Sequence, residues 1–220
     1  MTSAGKKGAV HPPDITLPDE PRAIYESKLV FGVHLWDVSH IMPRIESKRR
    51  RRDVAGIDRL FFHHSGALGR PGFAGALASA NYVVKQRKNK DGKRAGFPGP
   101  AYTFWIPAED LRDSSGALCV LRLNTDTERS WHTGGKANGR GVSAVFQGNT
   151  TARPMTHSHE ECAEALIPWA VRRYGLRMPD GLSWHSIGDE SGGSSKAACP
   201  GKGAESWLRG YRRGYVTDAA

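Results

Sequence analysis

Apolar residues along the chain come in short blocks set apart by Gly- and Pro-rich turns. Leu60, Phe61 and Phe62, with Ile57 just before, form a run that ends at His63–His64–Ser65. A run this short, with bulky residues on consecutive positions, predicts a buried strand whose last residues reach a site at its C-terminal end. Phe73, Leu77, Ala80 or Asn81, and Val84 recur at helical spacing and predict a helix over 73–88. Residues 101–107, AYTFWIP, predict an aromatic-rich strand, and 118–123, LCVLRL, predict another. Asp113 to Gly116 supplies a turn between these two, which makes them hairpin neighbours. Val142 to Phe146 predicts a fourth strand and Leu182 to His185 a short fifth.

Two helices complete the pattern. Residues 157–174, HSHEECAEALIPWAVRRY, carry a buried stripe through Cys162, Leu166 and Trp169. Ser158 and Glu161 have capping-box spacing, Pro168 is a candidate kink, and Gly175 is a stop. Residues 204–216 predict a final helix, basic on one side. The order is strand, helix, three strands, helix, strand, helix: an α/β or α+β pattern with one sheet and helices packed on it.

Before this block lie two other stretches. Residues 1–22 are polar and Pro-rich and read as a mobile tail. Residues 23–56 read as an extension: Val30, Phe31, Val33, Leu35 and Trp36 predict a strand or buried extended segment, although Gly32 weakens it. Four arginines, Arg49 to Arg52, then follow Lys48 as a solvated connector or an anion-docking arm. The domain proper is expected over 57–220.

Charge narrows the partners. A net charge of +10 favours an anionic partner, and nucleic acid, an anionic membrane and a bacterial wall all qualify. There is no nucleic-acid-binding motif to support the first. No apolar run approaches a membrane span, and the N-terminus lacks the apolar stretch of a secretory signal, so synthesis in a cytoplasm is expected. Three cysteines do not make a disulfide framework. Cys119 and Cys162 read as small buried hydrophobes, whereas Cys199 sits in a loop ending in Pro-Gly.

The chemistry concentrates in 184–201, WHSIGDESGGSSKAACPG. His185 and Cys199, 14 positions apart, are both zinc-ligand types. A catalytic zinc site takes three protein ligands and keeps one open position. The His63–His64 pair is the candidate source of the third. Neighbouring strand residues point to opposite faces, so one of the two is the ligand, and spacing alone does not say which. Such a zinc ion would activate a water for amide hydrolysis. Lys196 or the Tyr102 hydroxyl could stabilise the attacked carbonyl; the plain alternatives are an exposed loop lysine and a packed strand tyrosine.

Taken in order, the strand ending in HHS, PAYTFWI, WHTGGKANGRGVSAVFQGN and the H…K…CPG tail resemble the zinc-dependent N-acetylmuramoyl-L-alanine amidases of phage endolysins and the related peptidoglycan recognition proteins. The resemblance covers about residues 57–212. It implies a central mixed β-sheet flanked by helices, with one zinc ion on His63, His185 and Cys199. It also implies catalytic roles for Tyr102 and Lys196 and a substrate cleft containing His132 and Asn138. Lys196 lies three positions before the last ligand, where the family has two. Val145 stands where some members carry a glutamate, as in the phage type. The implied substrate is the bond between the lactyl group of N-acetylmuramic acid and L-alanine in peptidoglycan. The expected protein is a monomeric endolysin that waits in the host cytoplasm and reaches the wall after the membrane is breached. The alternative is a peptidoglycan-binding module without catalysis; such modules commonly lose the cysteine, and Cys199 is present.

Overall fold

In the computed structural model the described residues are 22–66, 70–85, 87–88, 94–133, 136–188 and 199–217. Their elements run β1 (Arg22–Lys28), β2 (His34–Asp37), β3 (Arg59–His64), α1 (Gly72–Val84), the short pair β4 (Arg87–Lys88) and β5 (Arg94–Ala95), β6 (Phe104–Ile106), β7 (Cys119–Arg122), α2 (Ala137–Arg140), β8 (Gly141–Phe146), α3 (His157–Tyr174), β9 (Leu182–Trp184), α4 (His185–Gly188) and α5 (Lys202–Thr217). Seven strands share one mixed sheet in the order β1-β2-β7-β6-β8-β3-β9. β3 is parallel to both β8 and β9, and β6 and β7 are the expected antiparallel neighbours.

Alternation along the strands sorts the side chains into two cores. Leu60, Phe62, Phe104, Val142, Ala144 and Phe146 face α3 and α5, where Cys162, Leu166, Trp169, Ala204 and Leu208 cover them. Trp105, Val145, Cys119 and Leu121 face the other way and pack with Ala76 and Ala80 of α1. Because the sheet is covered on both sides, its inner strands are apolar at consecutive positions, as the run at 60–62 requires. His63 and His64 end the same strand, and its period of two sends them to opposite layers.

The N-terminal segment enters the sheet. β2 runs parallel to β7, and β1 pairs antiparallel with β2. The extended stretch expected from Val30 to Trp36 holds only over His34–Asp37. Val30–Gly32 is a single 3₁₀ turn, because Phe31 at φ 61° and Gly32 at φ 72° both adopt left-handed backbone, which no strand accommodates.

The long helix has the expected bounds but a different cap. Thr156, not Ser158, is the N-cap: its hydroxyl accepts from the His159 N–H at 3.2 Å, and His159 Nδ1 accepts from the Thr156 N–H at 3.3 Å. The Ser158 hydroxyl instead donates to Asp110 on the loop after β6. Pro168 stays inside the helix, and Gly175 ends it at φ 64°.

The basic run is woven into the domain. It lies against residues 127–129, with Arg52 N–H on the Thr127 carbonyl and Arg129 N–H on that of Arg50. Arg49 bridges Glu46 and Glu128. Arg52 donates to the carbonyls of Asp126 and Gly141. Arg50 and Arg51 are exposed.

Gly141, where β8 begins, has no room for a side chain: a Cβ there would lie 2.4 Å from two carbons of the Phe61 ring. Gly141→Ala is therefore expected to lose about 1–3 kcal/mol of stability through overpacking. A denaturant titration reads this as a lower midpoint; an unchanged midpoint would show that Phe61 can step aside.

Candidate metal centre

The parallel pairing of β3 with β9 builds the first half of the site. Phe62 is in register with Trp184, so the next residues, His63 and His185, emerge side by side. Both are buried, and their Nδ1 atoms lie 3.1 Å apart. Cys199 comes from a loop 136 residues beyond His63, and its sulfur lies 3.7 Å from His63 Nδ1. Two backbone bonds deliver it: Ser186 N–H donates to the Cys199 carbonyl at 3.0 Å, and His64 N–H donates to the Cys199 sulfur at 3.5 Å. One donor atom from each of the three residues falls within 4.8 Å of the others, and among the described residues no other such group of three occurs.

The two separations from His63 fit a metal. Tetrahedral coordination with metal–nitrogen bonds near 2.05 Å and metal–sulfur near 2.3 Å places nitrogens about 3.3 Å apart and nitrogen and sulfur about 3.6 Å apart. Two imidazole nitrogens and one sulfur also match the donor types of a zinc site with an open position. Burial alone pushes the Cys199 thiol up to about 11, against the pull of the His64 N–H. A thiol held so far from ionisation at neutral pH becomes a good ligand when a divalent cation displaces its proton.

The surrounding groups act on the far side of His63. With Nδ1 directed at the other two donors, Nε2 lies 3.1 Å from Nδ1 of His132. Burial, followed by the charge of Arg52, pushes His132 down to about 3, so it is neutral and its Nδ1 can accept a hydrogen bond from the His63 Nε2–H. With His132 as the acceptor, the contact leaves Nδ1 of His63 to offer its lone pair. Tyr102 sits with its ring centroid 5.2 Å from that of His63. Burial, helped by the neighbouring Cys199, raises its hydroxyl well above the usual tyrosine range, so it stays protonated. Val145 is in register with His63 on β8 and lays an apolar floor beside it.

A family model for N-acetylmuramoyl-L-alanine amidase matches residues 53–202, which hold His63, Tyr102, His132, His185 and Cys199. The chain belongs to the N-acetylmuramoyl-L-alanine amidase family. Solved structures repeat the architecture at low identity. Drosophila peptidoglycan recognition protein SD is 15% identical with a TM-score of 0.58, over 78% of this chain and 90% of its own. The endolysin amidase LysCS from Clostridium intestinale is 14% identical with a TM-score of 0.51, over 80% and 91%. The Ph2119 endolysin of a Thermus scotoductus bacteriophage is 14% identical with a TM-score of 0.52, over 77% and 92%. At such identities the likeness extends to the fold. No curated protein matches the chain in sequence.

In this amidase-family chain, His63, His185 and Cys199 converge as a set, with Tyr102 and His132 against His63. Asn138 is buried beneath the loop: its side-chain oxygen accepts from the N–H groups of His132 and Thr133, each at 2.9 Å. Lys196 lies outside the described residues. The open choice between the paired histidines resolves to His63. His64 turns to the opposite layer, where its Nδ1 meets the Thr150 hydroxyl at 3.4 Å. Two neighbours of the site went unread in the sequence. Thr150 is one of two adjacent threonines in a turn, and Arg52 is one of four identical residues; neither carries a signal of its own. Among the described residues, no helix is long and apolar enough to cross a membrane.

Proposed function

We propose that the protein is a zinc-dependent N-acetylmuramoyl-L-alanine amidase, hydrolysing the amide between N-acetylmuramic acid and L-alanine in peptidoglycan, and that it works as a phage endolysin. The convergence of two imidazoles from the ends of β3 and β9 with one cysteine from a loop carries this reading. Zinc bound there would polarise the scissile carbonyl and lower the pKa of a water to about 7. His63, His185 and Cys199 hold the ion. His132 keeps His63 in the ligand tautomer. The protonated Tyr102 hydroxyl donates to the carbonyl oxygen as charge develops there, and Lys196 is assigned the same task by the family resemblance alone. His132 and Asn138 belong to the peptidoglycan cleft, and the Asn138 side-chain oxygen also folds the loop that carries His132.

The presence of Cys199 favours catalysis over binding alone, since a recognition surface has no use for a half-buried thiol beside two buried histidines. The net charge of +10 suits an anionic wall. The protein would act as a monomer, made in the host cytoplasm and admitted to the wall once the membrane is breached. Purified peptidoglycan incubated with the protein should release L-alanine amino groups; chelation should abolish release and added zinc restore it. Release that survives complete zinc removal would end the mechanism. Expression in bacteria should clear a culture only when a pore-forming protein is co-expressed, and clearing without one would end the endolysin role.

A further inference from the structure

Thr150, in the turn after β8, is none of the candidate ligands, yet it is buried and both partners of its hydroxyl lie next to a ligand. Its Oγ1 donates its one proton to the carbonyl of Pro200, the residue after Cys199. It accepts at 3.4 Å from Nδ1 of His64, the residue after His63. The same His64 donates its backbone N–H to the Cys199 sulfur. Backbone packing closes the arrangement. Gly201 takes φ 93°, and a Cβ there would lie 2.5 Å from the Thr150 carbonyl carbon and the Thr151 nitrogen. The segment 199–201 is thus pressed against the turn at 150–151 and pinned there by one hydroxyl.

We infer that Thr150 is the positioning residue for Cys199: it sets where the thiolate stands relative to His63, and so governs metal affinity without touching the metal. Of the three ligands, Cys199 alone is not attached to a strand end. His63 stands at the C-terminal end of β3 and His185 directly follows β9. The sheet positions the two histidines, while the cysteine depends on loop contacts. Among those of the described residues is the Thr150 side-chain bond to the Pro200 carbonyl. His64 supports it twice over: its ring orients the Thr150 hydroxyl while its N–H meets the sulfur. The inference relies on the zinc reading above, and its test measures metal binding instead of amide hydrolysis.

Thr150→Val keeps the shape and removes the hydroxyl; Thr150→Ser keeps the hydroxyl and removes the methyl. Zinc affinity measured by competition with a chromophoric chelator should fall about 10–100-fold in T150V and stay within about threefold of the parent in T150S, the range seen when a group supporting a ligand is lost. Cobalt(II) substitution supplies the signature that a merely structural role would leave alone: the near-ultraviolet thiolate-to-cobalt band should weaken in T150V and return in T150S. T150V with the affinity and band of the parent would overturn the inference while leaving the zinc reading intact. So would T150S as impaired as T150V, since packing and not the hydroxyl would then be responsible. A parent that binds neither zinc nor cobalt would overturn both; a parent that binds zinc yet cleaves wall in full chelation would sink only the proposed function.

Discussion

Cys199→Ala should leave a folded protein that retains almost no zinc and releases amino groups from peptidoglycan about 10³-fold more slowly, equivalent to some 4 kcal/mol of transition-state stabilisation. Two imidazoles at 3.1 Å remain as a bidentate site, which holds a divalent ion far more loosely than three donors. The neutral pair also gives up the one anionic donor, so the ion's charge is no longer matched. The fold should survive, because Cys199 is a loop residue and its thiol is protonated without an ion, pushed up to about 11 by burial. His63→Ala should lose zinc equally, and with it the seat of His132. Metal analysis of the purified proteins, with the amino-group assay beside it, decides the matter. Zinc content equal to the parent's in the Cys199 variant would remove the sulfur from the site, and the metallohydrolase account with it.

How far this site could be read in advance follows from where each residue stands. His63 and His185 were visible because each ends an apolar run, and a strand end is where a sheet presents side chains. Cys199 was visible as the one cysteine in a Pro-Gly loop. Spacing alone did not say which of His63 and His64 would serve, and only the family resemblance named His63: the period of a strand says that they diverge, but the side on which the donors meet depends on β9 lying next to β3, a pairing between residues 122 positions apart. The core strands and the helix at 157–174 were legible from pattern. β1 was not, since RAIYESK alternates too weakly to mark a strand, and its place follows from pairing with β2. The cap of α3 went to Thr156 because Asp110, a distant partner, claims Ser158. For the histidine pair and the cap of α3, a long-range contact decided what local preference could not.

Long-range contacts also give the largest expected effect on stability, at Glu128, a residue without distinction in the sequence. It is buried, and its carboxylate accepts from Arg44 Nε at 2.9 Å, from Arg49 at 2.8 Å, and from the N–H and hydroxyl of Thr125 at 2.8 and 2.9 Å. Burial by itself would raise its pKa; the Arg44 and Thr125 bonds outweigh burial and hold it at about 2. Glu128→Gln leaves Arg44, with 11% of its side chain exposed, as an unmatched buried cation. The expected loss is about 3–5 kcal/mol, or roughly 6–20 °C in melting temperature for a chain of this size. Because the folded pKa lies below the ordinary value of 4.5, the contribution is complete above about pH 4.5 and disappears as pH falls towards 2. The parent should therefore lose stability over that window, and the variant should lose less. Part of the acid slope remains from Asp113, where bonds from Ser115 and His34 overcome burial and also hold the carboxyl at about 2. Arg49→Ala should cost far less than Glu128→Gln, since its side chain is 37% exposed and water replaces what it gives. Glu128 stands four residues before His132, and the backbone of Arg50–Arg52 is hydrogen-bonded to the same stretch. The network thus anchors the stretch of chain that carries His132 to the back of His63. A variant that melts with the parent at neutral pH would show that this charge cluster decorates the fold and does not hold it.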